Sequence, residues 1–317
     1  MAASNTPRIP RLKLRSTIMR VDPNYIANLT AAVDQSASQE DTLTSELSSG
    51  LRVTSLSDDP VAVAQSTLFG GAIAQDDSFV QSAAGTTSQL QVADSTLGEV
   101  VTQVTAAIAT AVSGNNGGLS ASDLAGVAQS LSGVRDQVLS LANTSYQGQY
   151  LFGGSQGSTP PFTLDTSTNP ATAVYNGDSN LQFVQTPTGQ SIQVNLPGSS
   201  VFGSAASGVL GALNQLISDF SGGATSATLT TDTGALTTAL GQLSSQRSTL
   251  DSSLSRLQAT STYAQTESSE LTVAQGTLVQ ADPATVASQL STAETQHQAL
   301  LSVINALGSE DLFSLMH

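Results

Sequence analysis

Apolar residues recur along this chain in alternating steps of three and four. That spacing keeps side chains on one helix face and predicts helices packed along a seam. Four segments carry it. The first runs Val80, Ala83, Thr87, Leu90, Asp94, Leu97, Val101, Val104, Ile108, Ala111, and the second Leu124, Val127, Leu131, Val134, Val138, Leu141. The third extends from Leu236 to Leu278 through Leu243, Arg247, Leu250, Leu257, Ser261, Ala264, Ser268 and Gln275. The fourth runs from Val286 to Leu307 through Leu290, Ala293, His297, Leu300 and Ile304. A weaker version, Ile26, Leu29, Val33, Leu43 and Leu47, comes first. As continuous helix the third segment reaches roughly 64 Å at about 1.5 Å per residue, rod-like rather than compact.

Asn115-Asn116-Gly117-Gly118 separates the first two helices, and Ser221-Gly222-Gly223 ends a short apolar helix around Val209 to Phe220. Between them the pattern changes. Seven of the 13 aromatics lie between Tyr146 and Phe202, and five of the ten prolines between Pro160 and Pro197. Ala171–Tyr175, Leu181–Val184 and Ser191–Asn195 read as strands, with turns at Asn176-Gly177-Asp178 and Thr188-Gly189. The predicted fold is mainly α: long N- and C-terminal helices packed as a coiled-coil-like bundle, with a small inserted β-rich domain. The expected division is a basic flexible extension at 1–18, terminal helices at 19–50 with 280–317, a helical rod at 51–148 with 206–279, and a β-rich outer domain at 149–205.

One junction is marked by its own residues. Leu47-Ser48-Ser49-Gly50-Leu51-Arg52 followed by Ser57-Asp58-Asp59-Pro60 reads as a helix closed by a glycine and a second helix opened by an acidic cap. Gly50 tolerates the left-handed conformation. Asp58 or Asp59 is available to accept from free N–H groups, and Pro60 suits a first turn.

The seams are polar in places: Asp94, Arg247, Ser261, Ser268, Gln275 and His297 occupy positions that favour apolar residues. Ser, Thr and Val are also mediocre helix formers. The terminal helices are therefore expected to be marginal alone and to gain stability by packing against other subunits.

Charge narrows the function. Charged residues make up only 10% of the 317 positions, and formal net charge is −15. Five of nine basic residues (Arg8, Arg11, Lys13, Arg15, Arg20) lie in the first 20 positions; beyond them four arginines face 24 acids. Such a chain has no footprint for nucleic acid, and attraction to an anionic membrane is confined to the basic start. Cysteine is absent, which removes disulfides and thiolate chemistry. No apolar run is expected to approach the ~20 residues of a membrane span. The basic start lacks the apolar stretch of a general secretory signal, and Met19 is an alternative start.

Catalysis has little to work with. A nucleophile needs an adjacent base, and the only histidines are His297, on a seam, and His317. Gly153-Gly154-Ser155-Gln156-Gly157 lacks the helix and lysine of a phosphate loop and reads as an ordinary loop. Asp58-Asp59 and Asp76-Asp77 read as caps or solvated faces rather than metal ligands. Asn28-Leu29-Thr30 and Asn143-Thr144-Ser145 match glycosylation sequons in helical context, as chance matches do. No catalytic, cofactor-binding or metal residue is assigned. Arg52, Arg135, Arg247 and Arg256 are expected to pair with carboxylates on neighbouring helices or subunits.

Several of these motifs resemble a known family. Met19-Arg20-Val21 and the stretch from Leu47 to Gln65 are similar to the start of bacterial flagellin-like axial proteins. Tyr150-Leu151-Phe152-Gly153-Gly154, Pro160-Pro161-Phe162, Val174-Tyr175-Asn176-Gly177-Asp178 and Asn195 to Phe202 resemble the hook-associated protein 3 family of hook–filament junction proteins. The ending Ser309-Glu310-Asp311-Leu312-Phe313-Ser314-Leu315 is similar to that family's C-terminus. Leu51, where a basic residue is common, departs from the pattern; so do residues 1–18, which have no counterpart. Pro283, after Asp282, is expected to break the C-terminal helix locally.

The resemblance implies a non-enzymatic structural component of the bacterial flagellum without cofactors, an adaptor at the hook–filament junction. It implies export in unfolded form through the flagellar type III apparatus, with a chaperone on the C-terminal region, and helical self-assembly outside the cell. The implied partners are further copies of the chain, the other junction hook-associated protein and flagellin, with no nucleic acid and no membrane. A flagellin-like filament subunit and a secreted helical effector or adhesin are the alternatives.

Overall fold

The computed structural model describes the backbone of residues 23–315 and the side chains of residues 24–306. The extension at 1–18, the candidate start at Met19 and the predicted end at His317 lie outside the described residues. The helices are α1 (Pro23–Ser49), α2 (Pro60–Gly114), α3 (Ala121–Ala142), α4 (Gly198–Val201), α5 (Gly208–Gly222), α6 (Ser226–Val279) and α7 (Pro283–Leu315). Six short strands lie between α3 and α4: β1 (Ser145–Tyr146), β2 (Gln149–Tyr150), β3 (Phe162–Asp165), β4 (Thr172–Tyr175), β5 (Phe183–Gln185) and β6 (Ser191–Gln193). The chain divides into two compact units: one holds the residues through Thr67 and from Gln275 onward, the other Leu68–Ala274.

In the first unit α1 packs against α7. Its buried apolar core is thin: Leu43, Val286 and Ala293, with Ala281 and Leu290 partly covered. Two turns of similar build join its helices. Gly50 closes α1 with φ +70°, its N–H donating to the Glu46 carbonyl at 2.8 Å. The two acids that follow divide the labour that either could have done. Asp59 accepts from Ala62 N at 3.0 Å and caps α2, with Pro60 in the first turn. Asp58 instead gathers the loop, accepting from Thr54 N at 3.0 Å, Ser55 N at 2.8 Å and Ser55 Oγ at 2.8 Å. The Asp282-Pro283 step repeats the device: Asp282 accepts from Ala284 N at 3.0 Å and α7 begins at the proline, so the expected break is a capped helix start. The two turns touch. Arg52 N donates to the Val279 carbonyl at 2.8 Å and Ala281 N to the Gly50 carbonyl at 3.0 Å.

In the second unit the predicted stripes hold at every seventh position and shift at the others. Ala83, Leu90, Leu97, Val104 and Ala111 are buried as expected. The intervening buried residues are Phe79, Ala93, Val100 and Ala107, one position before the predicted Val80, Asp94, Val101 and Ile108. On α6 the same holds for Ala239 and Ser253 against Leu240 and Leu254, while on α3 the shift is one position the other way, to Ala128, Arg135 and Ala142 from Val127, Val134 and Leu141. The small residue often takes the centre while the larger aliphatics pack at its rim. Small central residues let helices approach closely, and the flanking aliphatics still lose much of their apolar surface to water.

This packing also corrects the expectation about membrane spans. By length and composition α2 is long and apolar enough to cross a membrane. Its heptad positions are instead covered by the protein's own core.

α5 is apolar nearly all round, burying Val209, Leu210, Leu213, Leu216, Ile217 and Phe220, as a helix enclosed by others should. It lies against α3. The β region consists of three separate antiparallel ribbons, β1–β2, β3–β4 and β5–β6. Thr188-Gly189 does turn between β5 and β6. Asn176-Gly177-Asp178 does not form a hairpin, because β4 pairs backward with β3, which the sequence reading missed. The β1–β2 turn at Gln147-Gly148 has positive φ at both positions (50° and 81°), the geometry of a tight hairpin. The ribbons and helices share one core. Phe152, Phe162 and Phe202 are buried within it, with Phe202 edge-on to Phe152 at 5.0 Å and to Phe162 at 5.6 Å.

Candidate assembly surface

Several of the polar residues on the seams have partners across the helices. In the second unit, Arg247 Nε donates to Asp94 Oδ1 at 2.6 Å and Arg247 NH2 to Asp94 Oδ2 at 3.1 Å. Ser268 Oγ donates to Asp77 Oδ1 at 2.9 Å. Near the other end of the pair, Asn115 Nδ2 donates to the Ser226 carbonyl at 3.1 Å and to Thr230 Oγ1 at 2.9 Å. α2 and α6 therefore run antiparallel in a register fixed by complementary polar pairs. In the first unit Gln275 Nε2 donates to the Ser66 carbonyl at 2.9 Å; His297 Nδ1 faces Glu40 Oε1 at 3.9 Å, beyond hydrogen-bond reach. Polar partners of this kind specify alignment where apolar contact alone would slide.

The expected pairing with carboxylates on neighbouring helices holds for Arg247; Arg52 and Arg135 meet acids close by in sequence instead, and Arg256 meets none among the described residues. Arg52 approaches Asp59 at 3.5 Å and donates to the Leu278 carbonyl at 2.8 Å. Arg135 is buried, donates to Asp136 Oδ1 at 2.7 Å, and reaches the Ala171 carbonyl at 2.7 Å, tying α3 to the β region. Arg256 has no carboxylate within ion-pair distance among the described residues.

Candidate chemistry resolves into packing. The Gly153–Gly157 loop has its anion in place: Asp178 Oδ1 accepts from Ser155 N at 2.8 Å, and its other oxygen accepts from Ser155 Oγ and from Asn180 Nδ2 at 3.0 Å. The Ser155 bonds hold the Asp178 carboxyl below the usual carboxylate range. Asn28 lies within α1, as read, but Asn143 caps the end of α3 rather than lying inside it. Its side chain exchanges two hydrogen bonds with the Phe162 backbone, at 2.8 and 2.9 Å, acting as a strand residue would. Asp58 is held down to about 2, chiefly by the Ser55 hydroxyl and the Thr54 and Ser55 N–H groups. Asp76 is buried and pushed upward by lost hydration first, then by Glu267 and Asp77. No group of three or more His, Cys, Asp or Glu side chains is placed to hold a metal among the described residues. The sequence marks Asp178, Asn143 and the buried Asn195 only as a turn residue, a chance sequon and a strand end; their hydrogen-bonding roles are not foreseen there.

The surface left over is apolar in several places. Leu56, Val61, Leu68 and Val273 are each about two-thirds exposed or more (66, 66, 72 and 68%), and Tyr25, Ile26, Leu301 and Val303 are also open. A thin core among the described residues of the first unit, register-matched seams and open aliphatics define a helical structural protein whose exposed faces are suited to burial by association.

Residues 24–157 match the bacterial flagellin N-terminal helical region and residues 233–315 the bacterial flagellin C-terminal helical region. Together these take in more than half of the chain, and it belongs to the bacterial flagellin family. Flagellar hook-associated protein 3 of Salmonella typhimurium is 32% identical over 163 residues, 51% of this chain and 50% of that protein. Its Escherichia coli counterpart is 31% identical over the same shares. The chain thus spans about half the length of the curated relatives it matches. The fold is shared with a putative flagellar hook-associated protein from Vibrio parahaemolyticus (TM-score 0.62, 18% identity, 70% of this chain and 99% of that one). It is shared also with the flagellar junction protein FlgL from Legionella pneumophila (TM-score 0.56, 18% identity, 68% and 100%).

Proposed function

We propose that this chain is the adaptor at the hook–filament junction of the bacterial flagellum. The observation that carries the reading is the match, above 30% identity, to two proteins named flagellar hook-associated protein 3. The α1–α7 pair supports it: a helix pair with three buried apolar residues among those described gains from being covered by neighbours.

In this reading the terminal helices at 19–50 and 280–317 join the inner tube, the rod at 51–148 and 206–279 supports them, and the module at 149–205 faces outward. The chain acts without catalysis. It leaves the cell unfolded through the flagellar export apparatus, escorted by a chaperone on its C-terminal region. Head-to-tail contacts with its own copies build a helical layer, with the other junction hook-associated protein on one side and flagellin on the other.

Deletion of the gene from its own bacterium is the test. Cells are expected to keep hooks, release unattached flagellin and lose swimming. Attached filaments of normal length in the deletion strain reject the junction role. The flagellin helical regions are shared with a rival reading, a filament subunit, which the curated relatives do not favour. That rival requires the purified chain to grow long filaments unaided, which an adaptor does not do.

A further inference from the structure

Arg256 is a cation out of place. It stands exposed on α6, and its one recorded polar approach is weak, NH2 to the Ser191 carbonyl at 3.5 Å. The other three described arginines each meet a carboxylate, at 3.5, 2.7 and 2.6 Å. In a chain with four arginines and 24 acids beyond residue 20, the lack of a partner is not for want of acids.

The surroundings of Arg256 are equally specific. It sits at a cleft of about 500 Å³ between α6 and the β5–β6 ribbon. The α6 wall supplies the hydroxyls of Ser245, Ser248, Thr249 and Ser252, and the ribbon supplies Ser191 and the exposed ring of Phe183. No carboxylate lines it. A planar guanidinium beside several rotatable hydroxyls matches the acceptor pattern of a carboxylate, which takes a forked pair from arginine and further bonds on its remaining lone pairs. The exposed ring offers apolar contact to the stem of the incoming side chain.

We infer that the Arg256 cleft receives an aspartate or glutamate side chain from a second copy of this chain. Charge complementarity selects the occupant: beyond residue 20 acids outnumber arginines 24 to four, so a second copy carries carboxylates in large excess over the cations available to pair with them. The inference rests on the self-assembly in the proposed function and adds the contact that sets its register.

The test uses the full chain with a photo-crosslinking amino acid at Thr249, on the cleft wall. It is irradiated both as concentrated purified protein and in flagella isolated from its own bacterium. Covalent homodimers are expected, with the crosslink mapping beside an aspartate or glutamate of the second copy. R256E should lower homodimer yield by about tenfold, because like charges then meet, whereas R256K should retain most of it. Crosslinks solely to a different protein, or homodimers unaffected by R256E, overturn the inference. Circular dichroism of each variant confirms that the fold is intact. Homodimers from a chain that never enters flagella keep the contact and sink the junction role. A chain found in flagella without homodimers does the reverse.

Discussion

Arg247 reaches across from α6 to hold both oxygens of Asp94 on α2, at 2.6 and 3.1 Å, where each helix's own pattern called for an apolar residue. Asp94 in turn makes the Arg247 guanidinium hold its proton more tightly. The two exceptions to the hydrophobic repeat answer one another. Both side chains are partly exposed (38% and 25%), so the pair acts more through alignment than through raw strength. Arg247→Ala should cost about 1 kcal/mol in urea unfolding, with a double-mutant coupling to Asp94→Ala of about 1 kcal/mol or below. Replacing both with leucine should leave stability unchanged or raise it. The cost should appear instead as broadened or doubled backbone resonances along α2 and α6, where NMR reads slipped registers.

Arg135 is a different case, because its side chain is buried. Arg135→Ala strands the Ala171 carbonyl and removes the tie between α3 and the β region. The expected loss is about 2–4 kcal/mol. Hydrogen exchange should show the damage first in β3 and β4, ahead of the long helices.

Two glycines separate conformation from space. At Gly198 an added Cβ would stand 2.6 Å from a Phe162 ring carbon and 2.9 Å from the Phe152 carbonyl, inside the aromatic core. Gly198→Ala should destabilise by about 1–3 kcal/mol through forced repacking. At Gly50 nothing lies within 4 Å, and the one obstacle is φ +70°. Gly50→Ala should cost about 1 kcal/mol, and Gly50→Asn less, since asparagine visits that region more readily. Thermal unfolding of the three variants orders them.

Asp232 gives the fold a pH signature. Burial first, then the neighbouring Asp219 carboxyl, raises its pKa from 3.8 to about 6. The folded chain therefore binds a proton there more tightly than the unfolded chain does. The stabilisation is full below about pH 4, fades as pH rises through about 6, and leaves a destabilising charge pair at neutral pH. Asp232→Asn should stabilise the protein at pH 7.5 by on the order of 1 kcal/mol, allowing for solvent screening. The gain should vanish at pH 4. Urea midpoints across pH 4–8 for the two proteins test this.

Much of this architecture could be read from residue spacing, and the failures share a cause. Helix positions came from the repeat, and the end of α1 from Gly50. The repeat marked Val127, Val134 and Leu141 as central, yet Ala128, Arg135 and Ala142 occupy that place. Periodicity weighs side chains by hydrophobicity, whereas close packing selects small size at Ala128 and Ala142, and Arg135 holds its place through its bond to the Ala171 carbonyl. β3 was missed because Phe162–Asp165 is too short to show alternation, and its pairing with β4 is a non-local choice. The polar matches across the seam were equally hidden: sequence shows two unwelcome polar residues, and only the antiparallel register shows that they are partners. Arg256 stood out by the reverse route, as the arginine for which folding supplied no carboxylate.

The turn that closes α1 carries a consequence for the timing of folding. Arg52 donates to the Leu278 carbonyl, 226 positions later in the chain. At a synthesis rate of about 5–20 residues per second, the first half of that joint exists for roughly 10–50 s before its second half is made. Closing so long a loop is also entropically costly and slow. For that interval the apolar face of α1 has no α7 to cover it. The protein is therefore born with a window in which another molecule can reach those residues before they find each other.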